Sequence, residues 1–89
     1  MGMFNWVDYE CTCPVCKSGK VSDFQTKEGL FDYENGPTLL SKHDVSNFYG
    51  CCSKCHCWIE FTLIKNKKFT MVAIGKDDKE LVRKERTLR

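Results

Sequence analysis

Two Cys-x-x-Cys pairs, Cys13/Cys16 and Cys52/Cys55, constrain the fold of this chain more than any other feature of its sequence. The chain has 89 residues, and so short a chain removes only a modest share of its apolar surface from water when it folds. Small domains usually supplement such a core with disulfides or a bound metal. The odd count of seven cysteines, and a start that lacks a basic and then apolar signal segment, favour reduced thiols in a soluble, cytoplasmic protein. The sequence therefore predicts a metal site.

The spacing within and between the pairs predicts which metal is bound. A two-residue gap lets one tight turn direct both sulfurs of a pair at the same point, and Zn²⁺ prefers four thiolates at about 2.3 Å in a closed tetrahedral shell. We therefore expect one structural Zn²⁺ held by Cys13, Cys16, Cys52 and Cys55, with no open position for a catalytic water and no enzymatic activity. The sequence leaves open an exchanged ligand or a second metal, drawn from the nearby thiols and imidazoles of Cys11, Cys51, Cys57, His43 and His56.

Thiol–disulfide exchange is a rival use of the first pair, because a lone Cys-Pro-Val-Cys at a helix N-terminus can serve as a redox couple. Here a strand-like stretch follows the pair, and a second pair occurs in a matching context. We therefore rank redox chemistry third, after two binding functions. For Cys11 and Cys57 the simpler interpretation is a small apolar residue in a strand.

Hydrophobic alternation predicts a single domain over residues 1–89, with a small, mostly-β fold of antiparallel hairpins around one zinc ion. Residues 4–9 and 21–26 are expected to pair as strands, with Gly19 taking a positive φ where the chain reverses. The run 58–64 is the clearest strand, and 69–74 is its antiparallel partner. Residues 27–44 break the alternation and are predicted to form an inserted loop. Residues 77–89 combine an acidic N-cap pattern with good helix formers, so we expect a C-terminal α-helix.

The motif Cys13-Pro14-Val15-Cys16-x-x-Gly19, with Cys52-x-x-Cys55 followed by a strand, resembles the zinc-ribbon family over about half of the chain. The chain is also similar to small bacteriophage-encoded zinc-ribbon proteins in its compact size and unusual composition. Zinc ribbons bind nucleic acid, RNA polymerase or other proteins, so the resemblance implies a site without fixing a function. The chain departs from the family pattern at His56, where glycine often follows the last ligand, and in its long acidic and aromatic insert.

The charge distribution suggests two binding functions. Residues 1–64 carry five Lys against eight Asp or Glu, whereas residues 65–89 carry nine Lys or Arg against four. Phosphate contacts are predicted for the basic part, through Lys65, Lys67, Lys68, Lys79, Arg83 and Arg86, the last three forming a stripe on the predicted helix. Trp58, Phe61 and Phe69 are expected to build the core rather than to stack on bases.

The insert, in contrast, combines acidic residues with the apolar side chains of Phe31, Tyr33, Leu39 and Leu40, which suits a basic protein surface. We therefore expect a protein partner first, for which the chain acts as an adaptor or inhibitor, as in a transcription or defence machine. Nucleic acid is the alternative partner. No small-molecule substrate is expected. No membrane is expected either, because the longest apolar stretches are far shorter than the roughly 20 residues of a membrane-spanning helix.

Overall fold

The computed structural model describes residues 4–29, 34 and 36–88, and β-strands dominate them. Their one stretch of helical backbone is a 3-10 turn at Lys42–Asp44, so the described chain contains no α-helix. Within these ranges, no helix has the length and apolar character needed to cross a membrane. The strands, in chain order, are β1 (Asn5–Asp8), β2 (Cys11–Thr12), β3 (Lys20–Val21), β4 (Phe24–Thr26), β5 (Leu39–Ser41), β6 (Asn47–Cys51), β7 (Trp58–Lys65), β8 (Lys68–Ile74) and β9 (Glu80–Thr87).

Seven of these strands form one sheet, with the order β5-β1-β4-β6-β7-β8-β9 across the described part of the chain. Neighbouring strands are antiparallel, except that β5 lies parallel to β1 at one edge. The strands β2 and β3 pair separately as a two-stranded ribbon. The first cysteine pair lies at the tip of this ribbon and the second at the tip of the β6–β7 hairpin. The fold therefore supplies the two pairs from different hairpins, as the sequence predicted.

Aromatic side chains build the core on one face of the sheet, where alternate residues of each strand point inward. Phe24, Phe48, Phe61 and Phe69 are buried there, and the rings of Phe48 and Phe61 stack with their centroids 4.9 Å apart. Burying such a side chain stabilises the fold by about 1.5–3 kcal/mol. The buried cysteines of both pairs belong to the same cluster of buried residues. The hydrophobic core is therefore continuous with the cysteine-bearing turns.

The predicted C-terminal α-helix is wrong, because residues 80–87 form strand β9. The strand pairs with β8 along its length, and Val82 packs against the core. The helix propensities of ordinary residues differ by at most about 0.7 kcal/mol each, so a continuous ladder and a buried contact outweigh them. The acidic residues interpreted as a helix cap lie instead in the β8–β9 turn, where the Gly75 N–H donates to the Lys79 carbonyl over 2.9 Å.

The stretch 27–44, predicted to be an inserted loop, supplies part of the sheet where the structure describes it. Leu39–Ser41 is the edge strand β5, and the 3-10 turn follows it. At the start of the stretch, the Glu28 carboxylate accepts hydrogen bonds from the N–H groups of Ser46 (2.8 Å) and Asn47 (2.7 Å). These bonds fasten the stretch to the beginning of β6, so the described part of this segment is integral to the sheet.

A buried asparagine makes a second attachment. Asn5 of β1 is fully buried, and its side-chain amide donates to the Glu28 carbonyl over 2.9 Å. Its side-chain oxygen accepts from the Thr38 N–H over 3.0 Å, immediately before β5. Buried polar groups of this kind are tolerated because their hydrogen bonds are satisfied. Asn5 thus connects the two ends of the 27–44 stretch through β1.

Candidate metal centre

The first cysteine pair lies on a tight turn that closes the β2–β3 ribbon. The Lys17 N–H donates to the Cys13 carbonyl over 3.0 Å, and the Cys13 N–H donates to the Gly19 carbonyl over 2.8 Å. The Val15 N–H points at the Cys13 sulfur, 3.4 Å away. Lys17 completes the turn with a φ of 59°. Backbone N–H groups directed at sulfur stabilise the thiolate form that binds a metal.

The second cysteine pair adopts the same turn at the tip of the β6–β7 hairpin. The His56 N–H donates to the Cys52 carbonyl over 2.9 Å, and the Lys54 N–H approaches the Cys52 sulfur at 3.4 Å. His56 has a φ of 62°, matching Lys17 in the first turn. Glycine is common at such a position because it lacks the Cβ that disfavours positive φ. His56 and Lys17 therefore take the same positive φ without a glycine, and the two turns have the same shape.

Gly19 has a different role from the one predicted. The positive φ of the first turn falls on Lys17, not on Gly19. Gly19 is required for space, because a Cβ built on it would lie 2.9 Å from the Cys52 sulfur. The backbone at Gly19, immediately before β3, therefore lies too close to the second cysteine pair to leave room for a side chain.

The two turns bring the sulfurs of Cys13, Cys16, Cys52 and Cys55 within 4.8 Å of one another. The Cys13–Cys55 sulfur distance is 3.6 Å and the Cys16–Cys52 distance is 3.7 Å. In a tetrahedral Zn²⁺ site with bonds of about 2.3 Å, neighbouring sulfurs lie roughly 3.8 Å apart. Cys13 and Cys52 are buried, whereas Cys16 and Cys55 are partly exposed. The four predicted cysteines are therefore positioned to bind one metal ion.

Electrostatics at Cys16 favour a thiolate. Hydrogen bonds from the backbone of Ser18 and Gly19 lower the pKa of the Cys16 thiol from 9.0 to about 6. Metals bind cysteine as the thiolate, so a lowered pKa reduces the competition from protons at neutral pH. The ribbon turn thus favours the thiolate form of this ligand.

Cys57 adds a fifth sulfur at the edge of the cluster. Its sulfur lies 3.4 Å from that of Cys55 and 3.5 Å from that of Cys13. Burial, followed by the hydrogen bonds with Cys55 and Cys13, raises the pKa of the Cys57 thiol. A protonated thiol donates a hydrogen bond to neighbouring thiolates instead of binding the ion. The prediction of a plain apolar residue at Cys57 missed this contact, although Cys57 shares its face of the chain with Ile59 and Phe61.

The other candidate ligands lie outside the cluster. Among the described residues, the grouping that could hold a metal comprises the same four cysteines. Cys11 is partly buried in β2, and burial raises the pKa of its thiol. Cys51 is exposed at the end of β6, His43 lies in the 3-10 turn, and His56 is exposed beyond the last cysteine of its turn.

The basic residues predicted to contact phosphates do not form one stripe. Lys65, Lys67 and Lys68 lie together at the β7–β8 end of the sheet, but Lys68 pairs with Glu85 over 3.0 Å. On β9, Arg83 pairs with Glu80 over 2.6 Å.

The helical stripe of Lys79, Arg83 and Arg86 does not exist, because the segment is a strand. Residues three apart on a strand point to opposite faces, which separates Arg83 from Arg86. Lys79 precedes β9, at the end of that strand remote from the β7–β8 turn. The six basic residues therefore do not share one surface.

The two predicted partner residues that the structure describes lie in different environments. Leu39 is 63% exposed on β5, whereas Leu40 is partly buried against the core. Phe31 and Tyr33 lie outside the described residues.

Phe61 and Phe69 are buried in the core as predicted, but Trp58 is 37% exposed and faces away from it. The core assignment is therefore right for Phe61 and Phe69 and wrong for Trp58.

No protein-family model, curated protein sequence or solved structure matches the chain. The site is thus characterised by its own geometry. Two equivalent turns, N–H groups directed at sulfur, and four sulfurs at tetrahedral spacing are the features that a closed thiolate site requires. Cys13, Cys16, Cys52 and Cys55 are positioned to bind one metal ion, in an arrangement that is compatible with a zinc-ribbon-like site.

Proposed function

We propose that the chain is a non-enzymatic, zinc-binding interaction module that docks on a protein partner. The observation that carries this proposal is the four-sulfur cluster joining the tips of two hairpins. Four thiolates complete a tetrahedral shell and leave no position for a water or a substrate, which suits a structural ion. Soft thiolates also favour zinc over cations such as Mg²⁺ and Ca²⁺, which prefer oxygen ligands.

The distribution of charge supports a protein partner over nucleic acid. Binding to a phosphate backbone is strongest when several basic side chains share one surface. Here Lys68 and Arg83 are paired with carboxylates, and Arg83 and Arg86 point to opposite faces. A nucleic-acid-binding module remains the alternative function, for which the lysines at the β7–β8 turn are the best contacts.

Metal analysis of purified, reduced protein tests the structural zinc. We expect one Zn²⁺ per chain, lost in Cys13→Ser and in Cys52→Ser with a large drop in melting temperature. Structural zinc contributes about 10–16 kcal/mol of apparent binding free energy in small peptides. Cys11→Ser is the matched control, because it removes a neighbouring thiol outside the cluster and is expected to keep the metal. If Cys13→Ser kept a native-like fold after dialysis against a chelator, the structural role would be wrong.

A salt titration separates the two kinds of partner. Binding of labelled single- and double-stranded DNA and RNA is followed by fluorescence anisotropy as the salt concentration rises. Weak binding with a shallow log–log slope is expected, since few basic side chains can contact phosphates together. A slope corresponding to several released counterions would support the nucleic-acid function and contradict docking on a protein.

A further inference from the structure

One row of side chains crosses the face of the sheet opposite the phenylalanine core. Cross-strand pairing places Trp6 beside Gln25, Gln25 beside Tyr49, and Tyr49 beside Glu60. Neighbouring strands lie about 4.8 Å apart, so these four side chains span roughly 15 Å. We call these four residues, together with Trp58, the outer row. Because alternate residues point to opposite faces, the strands that build the core also place the outer row on the other side.

Trp58 and Tyr49 form the centre of the outer row. Their rings stack with centroids 4.9 Å apart and an angle of 17° between the planes. The Trp58 indole N–H donates to one oxygen of Glu60 over 3.1 Å, and the side-chain amide of Asn47 donates to the other oxygen over 2.8 Å. Trp58 is therefore held in place by polar neighbours while 37% of its surface stays exposed. An aromatic surface fixed in advance loses little entropy when another molecule packs against it.

Two clefts open on either side of Asp23, in the connection between β3 and β4. A cleft of about 270 Å³ is lined by residues that include Asp23, Gln25, Tyr49 and Trp58. A second cleft of about 370 Å³ is lined by residues that include Trp6, Asp8, Glu10 and Asp23. Asp23 lies between them with a φ of 56°, a conformation that aspartate adopts more readily than most residues. Each cleft thus combines an aromatic ring with at least one carboxylate.

The charges near the clefts are predominantly negative. Asp8, Asp23 and Glu60 lie in or beside the clefts. Two nearby ion pairs, Lys20 with Glu10 at 3.3 Å and Arg83 with Glu80 at 2.6 Å, are each neutral overall. Burial and then the charge of Glu60 raise the pKa of Tyr49, which agrees with a negative potential at the stacked rings. Carboxylates and aromatic faces both attract cations, and carboxylates repel phosphates.

We propose that the outer row is the docking site for a basic segment of the partner protein, in which an arginine or lysine side chain packs on Trp58 and pairs with Asp23. The proposal rests on the proposed function, because it names the chemistry of the partner. The cleft beside Trp58 takes one cationic side chain, and the cleft beside Trp6 takes a second from the same extended segment. Glu60 acts as a positioning residue, since both of its oxygens are occupied by Trp58 and Asn47.

Nuclear magnetic resonance of the zinc-loaded protein tests this proposal with defined probes. The probes are a capped peptide containing two arginines, the same peptide with glutamates in their place, and a single-stranded oligothymidine. The arginine peptide is expected to shift the indole N–H signal of Trp58 and the backbone signals of residues 22–25. Its binding should weaken by roughly tenfold in Trp58→Ala, as removal of a partly desolvated cation–π contact implies. Added salt should weaken it further.

Charge variants separate the site from general attraction. Asp23→Asn tolerates the same positive φ and should weaken the arginine peptide several-fold, whereas Asp44→Asn removes an exposed carboxylate from the 3-10 turn and should change nothing. Equal weakening by both variants, or equal binding by Trp58→Ala and the parent, would overturn the proposal. If oligothymidine shifted the indole N–H signal of Trp58 and the arginine peptide did not, both this proposal and the proposed function would be overturned. If a protein partner isolated from the native cell bound Trp58→Ala and Asp23→Asn unchanged, the docking site alone would be wrong.

Discussion

Gly19→Ala tests the close approach between the metal cluster and the backbone immediately before β3. The new Cβ would lie 2.9 Å from the Cys52 sulfur and 3.3 Å from Cγ of Lys54. Non-bonded heavy atoms pack best at about 3.5–4.0 Å, so the sulfur or the strand must move by roughly 0.6 Å or more. The φ of Gly19 is not positive, so alanine is acceptable to the backbone itself. The clash therefore acts on a metal ligand, while the Lys54 side chain can rotate away.

The size of the effect follows from this geometry. Overpacking of a well-packed site costs about 1–3 kcal/mol, and the cost falls on the state in which Cys52 holds the ion. At 1.4 kcal/mol per factor of ten, the affinity for Zn²⁺ should decrease by about 5- to 150-fold. Replacing glycine by alanine also lowers the conformational entropy of the unfolded chain, which favours folding by about 0.4–1 kcal/mol. This gain partly offsets the clash in the free energy of unfolding, so the affinity for Zn²⁺ reports the clash more directly.

Competition with a chromophoric chelator measures this affinity. Gly75→Ala is the matched control, because the three atoms nearest to its new Cβ all belong to the exposed Leu81 side chain, the closest at 3.1 Å, and that side chain is free to rotate. Gly75→Ala should bind Zn²⁺ as the parent does. If Gly19→Ala also bound Zn²⁺ with the parent affinity, the reasoning from close approach would be refuted.

Two further predictions test the cluster and the fold. Cys55→Ala should abolish binding of the one Zn²⁺ per chain, whereas Cys57→Ala, two residues away, should retain the ion with at most a modest loss of affinity. Mass spectrometry under native conditions distinguishes the two variants. If Cys57→Ala lost the ion and Cys55→Ala kept it, Cys57 would be the fourth ligand instead of Cys55. Asn5→Ala leaves the Glu28 carbonyl and the Thr38 N–H without this buried side chain and should cost about 1–3 kcal/mol in urea unfolding, while an unchanged midpoint would show that water replaces both bonds.

The sequence determined the metal-binding residues, because the information was local. A Cys-x-x-Cys pair at the tip of a hairpin specifies its own turn, and two such pairs supply the four sulfurs that one ion requires. The strands β7 and β8 were also predictable, since alternation of apolar residues with a polar turn between them is visible within one segment. Chemistry and periodicity at short range were sufficient in both cases.

The tertiary structure alone decided the state of residues 80–87. Their composition favours a helix weakly, but the exposed edge of β8 offered a ladder that no local pattern reports. The same reason explains β5, whose pairing with β1 joins residues that are more than thirty positions apart in the sequence. Pairing with β8 also turned a supposed basic helix face into two opposite strand faces and removed the predicted stripe.

The fate of each aromatic and cysteine side chain depended on the sheet as well. Sequence periodicity places Trp58 and Phe61 on opposite faces of β7, but only the assembled sheet shows that the Phe61 face is the core and that Trp58 stacks on Tyr49. Likewise, Cys57 follows the last ligand by two residues, and only packing brings its sulfur against the cluster. Local residue types therefore determined which chemistry the chain carries, and the long-range pairing of strands decided which side chains meet and which face outward.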